Sequence, residues 1–394
     1  MLRVLTISTL FPNVVRSTFG VFVEHQTRAL AARPGVEVRV VNPVGLPPFP
    51  LDLHPHYRPL RDLPAEESWK GIRVARPRML TVPGLSGRFN PALLARAARP
   101  VIARWRDEGF AFDVIDAQFF YPDGPAAARL AAEFEVPLLV KARGADIHYW
   151  GERRGCREGI MEAAAQAGRL LAVSQSLARD MAGMGMDAAK IAVHYTGCDL
   201  ERFRPPDRAA AKRELGVVGP LVVSLGSLIP RKGHDLVIEA MAEVEGATLL
   251  VVGEGPERDR LERLVRQRGL SERVRLLGNR PHVELPGLLG AADIMALASE
   301  SEGLANAWVE ALACGTPVVT PDVDGAAEAI DRPAAGRLLR ERTPAAIGAA
   351  IRDILADPPP QAAVRESAER FSWERNGRQL HEHLAHLAAT GAAR

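Results

Sequence analysis

Short apolar runs alternate with longer stretches of helical spacing almost from one end of the chain to the other. Leu2 to Ile7, Val36 to Val41, Val114 to Ala117, Pro137 to Lys141 and Leu170 to Val173 are brief and rich in β-branched residues. Continuous hydrophobicity over that length predicts strands buried on both faces. Between several of them apolar residues recur at helical spacing, over Val21 to Ala32, Pro125 to Glu133 and Gly159 to Ala167. A second series begins near Pro220, with strands expected at Leu221 to Leu225, Ala247 to Val252, Val274 to Leu277, Ile294 to Leu297 and Pro317 to Thr320. Its helices fall at about Asp235 to Val244, Pro256 to Arg268 and Val283 to Ala291.

This alternation predicts an α/β class with parallel sheets covered on both faces. The polar stretch Asp199 to Leu215, which includes Pro205-Pro206, separates the two series and puts a boundary near residue 203. The expectation is a doubly wound, Rossmann-like domain over 1–203, a second over 204–375, and a last helical segment over 376–394. Two such domains facing each other hold a ligand in the cleft at the carboxyl ends of their strands. The Pro-rich residues 43–65 predict an irregular excursion over the surface.

Composition changes this picture little. The 394 residues are enough for two or three domains of roughly 150 residues each. A net charge of +2, from 50 basic and 48 acidic residues, gives no global argument for nucleic acid. Cys156, Cys198 and Cys314 are far apart with no metal spacing, which predicts reduced thiols in a cytoplasmic setting. The opening Met-Leu-Arg-Val-Leu-Thr-Ile-Ser reads as a buried strand rather than a leader, and no run of 18 apolar residues suggests a membrane span.

Candidate chemistry concentrates in residues 299–320. A loop ending at Glu302-Gly303 leads into a helix over about Ala305 to Ala313, with Gly315 as an αL stop and Pro317 forbidding continuation. Glu302 therefore precedes the helix, whereas Glu310 lies about a turn and a half inside it. The free amides at Gly303, Leu304 and Ala305 form an anion site suited to phosphate. Two acids beside a phosphate seat suit a ligand rich in phosphates and hydroxyls.

The string Glu302-Gly303, Asn306, Glu310-Ala311, Ala313-Cys314-Gly315 and Pro317-Val318-Val319 resembles the Glu-x7-Glu signature of the retaining family 4 glycosyltransferases. The resemblance implies the GT-B architecture, with Glu302 facing the donor sugar, Glu310 on the ribose hydroxyls, and the helix start, Gly303 to Asn306, on the diphosphate. It also implies that the last helix crosses back to the N-terminal domain. Leu225-Gly226-Ser227-Leu228 and Pro230-Arg231-Lys232-Gly233 resemble the family's Gly-Arg-Leu and Lys-Gly, which makes Lys232 a diphosphate ligand that supports catalysis. Ser227 replaces the family arginine, and Arg231 is the substitute candidate. Gly253, in Gly253-Glu254-Gly255-Pro256, is expected beside the nucleotide, although neither a dinucleotide fingerprint nor a Walker A sequence forms there.

On the acceptor side, Gly20 ends the loop after the first strand and leaves room for a ligand at a helix start. Ala117-Gln118-Phe119 stands where the family carries histidine, so Gln118 is a hydrogen-bonding but not a proton-abstracting candidate. Lys141-Ala142-Arg143-Gly144-Ala145-Asp146 resembles the family's Gly-Ser-Asp turn and makes Arg143 and Asp146 acceptor-side candidates. His194 to Pro205 resembles the family's hinge and reads as structural.

Two formal motifs are set aside: Asp322-Val323-Asp324 reads as a loop, and of His381, His383 and His386 only the last two share a helical face. No metal and no cofactor are expected. The expected partners are a nucleotide-sugar donor and a saccharide or lipid-linked acceptor. Arg88, Arg96, Arg99, Arg104 and Arg106, interleaved with Leu93, Leu94, Val101, Ile102 and Trp105, allow a basic amphipathic face for an anionic inner-membrane surface, or an ordinary packed helix. A nucleotide-sugar epimerase and a noncatalytic sugar-nucleotide-binding module are the competing functions. Retention of both Glu302 and Glu310 favours the transferase.

Overall fold

The computed structural model describes residues 1–82 and 87–391. The chain forms two compact units, Met1–Gly197 with Trp373–Arg394, and Cys198–Ser372. The divisions therefore fall at 197 and 372, against the expected 203 and 375. Residues 392–394 of the expected last segment lie outside the described residues.

In the first unit an eight-stranded sheet runs, edge to edge, Ile191–Val193, Arg169–Ala172, Leu138–Ala142, Val114–Ala117, Leu2–Ile7, Val36–Val41, Ile72–Ala75 and Glu66–Trp69. All neighbours are parallel except the last pair, an edge hairpin. The hairpin was not legible as strand because Glu66, Glu67, Ser68 and Arg73 interrupt its apolar pattern. Its turn, Lys70-Gly71, has positive φ at both residues, the requirement of the tight turn whose twist matches the flanking strands. The Pro-rich region is also more ordered than expected: Val44–Leu46 pairs in parallel with Arg78–Leu80, and Leu60 and Leu63 bury against Val44.

The helix Asn90–Asp107 buries Leu94, Ala98, Ile102 and Trp105. Of the two readings left open for this segment, this burial matches the ordinary packed helix, whose apolar side belongs to the protein core. Arg99 pairs with Glu133 and Arg104 with Glu66. The terminal helix Trp373–Gly391 belongs to the same unit. Leu380, Leu384 and Leu387 close a cluster with Val4, Leu30, Val114, Leu139 and Leu171, and Gly377 lets its backbone approach that of Ala29.

In the second unit six parallel strands run Val274–Gly278, Thr248–Val252, Leu221–Leu225, Ile294–Ala296, Val318–Pro321 and Gly336–Leu339. Counted along the chain this is the order 3-2-1-4-5-6. Such an order reverses direction between Leu221–Leu225 and Ile294–Ala296, and the crevice at their carboxyl ends is the place for a ligand. The sixth strand is short and broken by Gly336 and Arg337, which hid it from the hydrophobic pattern.

Candidate functional site

The loops leaving the two switch strands of the second unit build the site. After Leu221–Leu225 the chain turns at Gly226, and Gly253 comes so close that a Cβ there would lie 1.9 Å from the Gly226 carbonyl oxygen. Leu228 N donates to Glu254 O at 2.9 Å, and Gly253 N donates to Gly278 O at 2.9 Å. Gly253 is thus demanded by the packing of three strand ends, whatever ligand lies beside it. The turn Pro230–Lys232 ends at Gly233 with φ 64. A Cβ at Gly233 would lie 2.2 Å from Ala298 O, so its absence lets the turn press against the neighbouring strand end.

That approach brings Lys232 to Glu302. Lys232 Nζ donates to Glu302 Oε1, Ser299 Oγ donates to the same oxygen at 2.8 Å, and Arg231 Nη1 lies 3.7 Å from it. Arg231 also donates to the Ser301 carbonyl. The pair is largely enclosed, with side-chain exposures of 15% for Lys232 and 11% for Glu302. Glu302 N donates to Asp324 Oδ2 at 2.8 Å, with Asp324 in the left-handed region at φ 39. The second carboxylate of the set-aside Asp-x-Asp therefore fixes the backbone of Glu302. Ser227 is exposed on the first loop.

The helix Asn306–Ala313 follows, with Ala305 at its N-cap and no side-chain cap. Its start presents Gly303, half-buried, then Leu304 and Ala305, buried, and Asn306, exposed. Uncapped amides and the positive end of the helix make this turn receptive to an anion. Glu310, 14% exposed, accepts from His282 Nε2 at 2.9 Å, and the His282 ring packs 5.3 Å from that of Phe203. Gly315 closes the helix at φ 74, with Thr316 N donating to Ala311 O and Gly315 N to Leu312 O, the paired bonds of a Schellman end. Arg365 donates to Ala313 O, which suits the negative end of the helix.

The arrangement holds two cations, Lys232 and Arg231, against two carboxylates, Glu302 and Asp324. An incoming anion would compete with Glu302 for Lys232, leaving the Glu302 carboxylate free to accept from hydroxyls. Behind the turn His234 is buried, with Nδ1 2.9 Å from Ser224 Oγ, and burial pushes its imidazole down to about 4. It is therefore neutral at pH 7. Burial likewise pushes the Cys314 thiol up to about 12 and the Cys198 thiol upward, so neither is a nucleophile.

In the first unit the acceptor-side candidates turn inward. Gln118 is fully buried, its Nε2 donating to both oxygens of Asp116 and its Oε1 accepting from Gln26 and Arg143, each at 2.6 Å. Every polar atom of its amide group is engaged within the fold, so the expected sugar contact is corrected. Asp146 is also fully buried and accepts from the amides of Phe120, Arg143 and Gly144, which makes it the brace of its own turn. Arg143 is partly buried, donates to Gln118 and lies over the Phe22 ring at 4.6 Å. Gly20 has φ 73, and a Cβ there would meet the Leu10 carbonyl carbon at 2.4 Å. Its own loop, rather than a ligand, requires the glycine.

The network continues through Lys141, whose Nζ donates to Gln26 Oε1 and to His194 Nδ1, each at 2.8 Å. His194 Nε2 donates to Asn376 O at 2.9 Å, tying the terminal helix to the strand edge. Burial raises Asp116 to about 6 and Asp123 to about 7, and lowers Lys141 and His194 well below their usual ranges. Sequence reasoning missed Lys141, His282, Ser299 and Asp324 as site or framework groups. Three of them stood within stretches singled out above, Lys141 at the head of Lys141–Asp146, Ser299 at the head of 299–320 and Asp324 in Asp-x-Asp, and His282 alone carried no local signal. Among the described residues no group of three or more His, Cys, Asp or Glu gathers in a metal-holding cluster, and no helix is long and apolar enough to cross a membrane.

Comparison with known proteins adds the following. The family described as glycosyl transferases group 1 matches residues 207–371, and the glycosyl transferase 4-like domain matches residues 18–197. A D-inositol 3-phosphate glycosyltransferase of Mycobacterium tuberculosis is 36% identical over 231 residues, 55% of this chain and 48% of that protein. The chain spans about half the length of the curated relatives it matches. A sucrose-phosphate synthase from Thermosynechococcus elongatus superposes with TM-score 0.79 at 21% identity, covering 99% of this chain and 100% of that one. Anabaena HepE, solved with UDP, superposes with TM-score 0.74 at 21% identity, covering 98% and 100%. At that identity the likenesses speak to the fold.

Proposed function

The chain belongs to the family 4 glycosyltransferases, with the GT-B fold of two Rossmann-like domains, and from that premise we propose that it is a retaining hexosyltransferase. In this reading it moves a sugar from a nucleotide-diphosphate donor to a saccharide or lipid-linked acceptor, in the synthesis of a cell-surface polysaccharide or glycoconjugate. An acceptor carried on a lipid would bring it to the inner face of the cytoplasmic membrane. The observation that carries the proposal is the enclosed Lys232–Glu302 pair at the switch point of the second sheet, one turn before an uncapped helix start.

The donor diphosphate takes Lys232 and the amides of Gly303 to Asn306, with Arg231 and Ser227 at its margin. Glu302, released from Lys232, accepts from sugar hydroxyls, and Glu310 exchanges His282 for the ribose hydroxyls. The bond from the anomeric carbon to the diphosphate oxygen breaks, with its electron pair going to the leaving phosphate. Lys232 and the helix amides are aimed at that growing charge, the electrostatic support that such a step needs. The acceptor oxygen bonds to the same face of the anomeric carbon and passes its proton to the departing phosphate, with no required metal.

HepE holds UDP-glucose in another of its structures, and a UDP-sugar is the first donor to try. NMR of the product formed with chelator present gives the test. An anomeric configuration equal to the donor's is expected; an inverted linkage, or turnover lost with chelator and restored by a divalent cation, would contradict this reading.

A further inference from the structure

Among the described residues, Lys70, Glu135 and Asp324 are the non-glycine positions with positive φ. Local geometry accounts for the first two. Lys70 lies in the tight turn of the edge hairpin, and Glu135 ends the helix Asp123–Phe134 at φ 57. Asp324, at φ 39, neither turns a hairpin nor ends a helix. It lies in the loop between the strand Val318–Pro321 and the short helix Ala326–Ala329. A side chain there carries strain that glycine would avoid, and strain kept beside a candidate site without a local reason points to a functional one.

The strained turn closes on a single peptide. Asp324 Oδ2 accepts from Glu302 N at 2.8 Å, and Gly325 N donates to Glu302 O at 3.4 Å. Both backbone groups of Glu302 are thus fixed by the loop that leaves the neighbouring strand. The Glu302 carboxylate is held separately: the fully buried Ser299 donates to Oε1 at 2.8 Å, and Lys232 donates to the same atom.

These contacts respond differently to a ligand. An anion at the helix start competes for Lys232, whereas the Asp324 bond is charge-assisted and set by the backbone of its own turn. Once Lys232 is drawn away, the Asp324 turn keeps the Glu302 peptide where it was.

We propose that Asp324 is a positioning residue for the transfer step: it fixes the Glu302 backbone while Lys232 passes to the donor diphosphate, so that the freed carboxylate meets the sugar without reorganising. A group placed before the reaction costs no reorganisation during it. The proposal rests on the transferase reading for the words donor and sugar, but the hold on Glu302 does not.

Two substitutions separate the hydrogen bond from the strain. Asp324→Gly removes both, whereas Asp324→Asn keeps a side-chain acceptor on a residue tolerant of the left-handed region. Lys232→Ala imitates the departure of Lys232 and needs no ligand. Amide hydrogen exchange of the full chain, read at Glu302 by NMR, should stay slow in Lys232→Ala and in Lys232→Ala with Asp324→Asn. It should quicken on the order of tenfold in Lys232→Ala with Asp324→Gly. The melting temperature of Asp324→Gly should match the native value within about 2 °C, because relieved strain offsets the lost bond. Hydrolysis of whichever of UDP-, GDP-, ADP- or dTDP-glucose the native chain cleaves should nevertheless lose about ten- to hundredfold in kcat in Asp324→Gly, at a KM within about twofold of native. Asp324→Asn should recover most of that loss. Exchange at Glu302 that is equally slow in the Asp324→Gly double variant, a native kcat in Asp324→Gly, or a loss that Asp324→Asn fails to recover overturns the proposal. Exchange that depends on Asp324 in a chain that cleaves none of the four donors would instead defeat the transferase reading and leave the hold on Glu302 standing.

Discussion

Burial decides what single residues can do here. Gln118 and Asp146 stand where a sequence reading places acceptor contacts, yet each is consumed by the fold. Their identity was legible, but their direction was not, because it depends on partners as distant in sequence as Gln26 and Phe120. Glu302 and Lys232 are the reverse case: two residues 70 positions apart, named from separate motifs, that meet in one contact. His234 behind them gives a residue-scale test. Its folded value of about 4 lies below the ordinary 6.5, so below pH 6.5 the unfolded chain binds a proton that the folded chain refuses. Stability should therefore fall as pH drops from 6.5 to about 4, by up to about 3 kcal/mol from this group. Urea unfolding of His234→Gln should show a shallower loss over that window than the native protein; an equal slope would mean that His234 is not held neutral.

Elements were legible where local chemistry punctuates them. The helix Asn306–Ala313 shows its stop in Gly315 and its exclusion of further helix in Pro317, and both act as their conformations require. The hairpin Glu66–Ala75 and the strand Gly336–Leu339 escaped because edge strands carry charge and glycine instead of an apolar run. Gly315 and Gly35 offer a matched test of what a left-handed glycine contributes. Both have φ near 75, but a Cβ at Gly315 would meet Gln361 Cβ at 2.7 Å, whereas Gly35 has nothing within 4 Å. Gly35→Ala should cost about 1 kcal/mol from backbone strain, and Gly315→Ala roughly 2 to 4 kcal/mol because the Schellman end must also shift. Equal losses in chemical denaturation would show that the Gln361 contact relaxes freely.

For the molecule as a whole, each unit is built on its own sheet, eight strands with one antiparallel edge strand in the first and six parallel strands in the second, and the alternation of apolar runs announced the parallel α/β class but not the strand order. The terminal helix was legible as a helix, but its place in the first unit depends on Leu380, Leu384 and Leu387 meeting Val4, Leu30 and Val114. Burial of three leucines at about 2 kcal/mol each is comparable with the whole stability of a domain. A chain ending at Ser372 should therefore lose its cooperative melting transition for the first unit and bind a hydrophobic dye; an unchanged transition would show that the helix only decorates that unit. The central claim is that the second unit seats a nucleoside diphosphate on Lys232, the helix start and Glu310. The most direct measurement is the melting temperature of the native chain, Lys232→Ala and Glu310→Ala titrated with UDP, GDP, ADP and dTDP. One nucleotide should raise it saturably in the native chain, by an amount corresponding to about 2.7 kcal/mol at a hundredfold excess over Kd, and both substitutions should abolish most of the rise. No rise with any of the four, or a rise that survives both substitutions, would contradict the account.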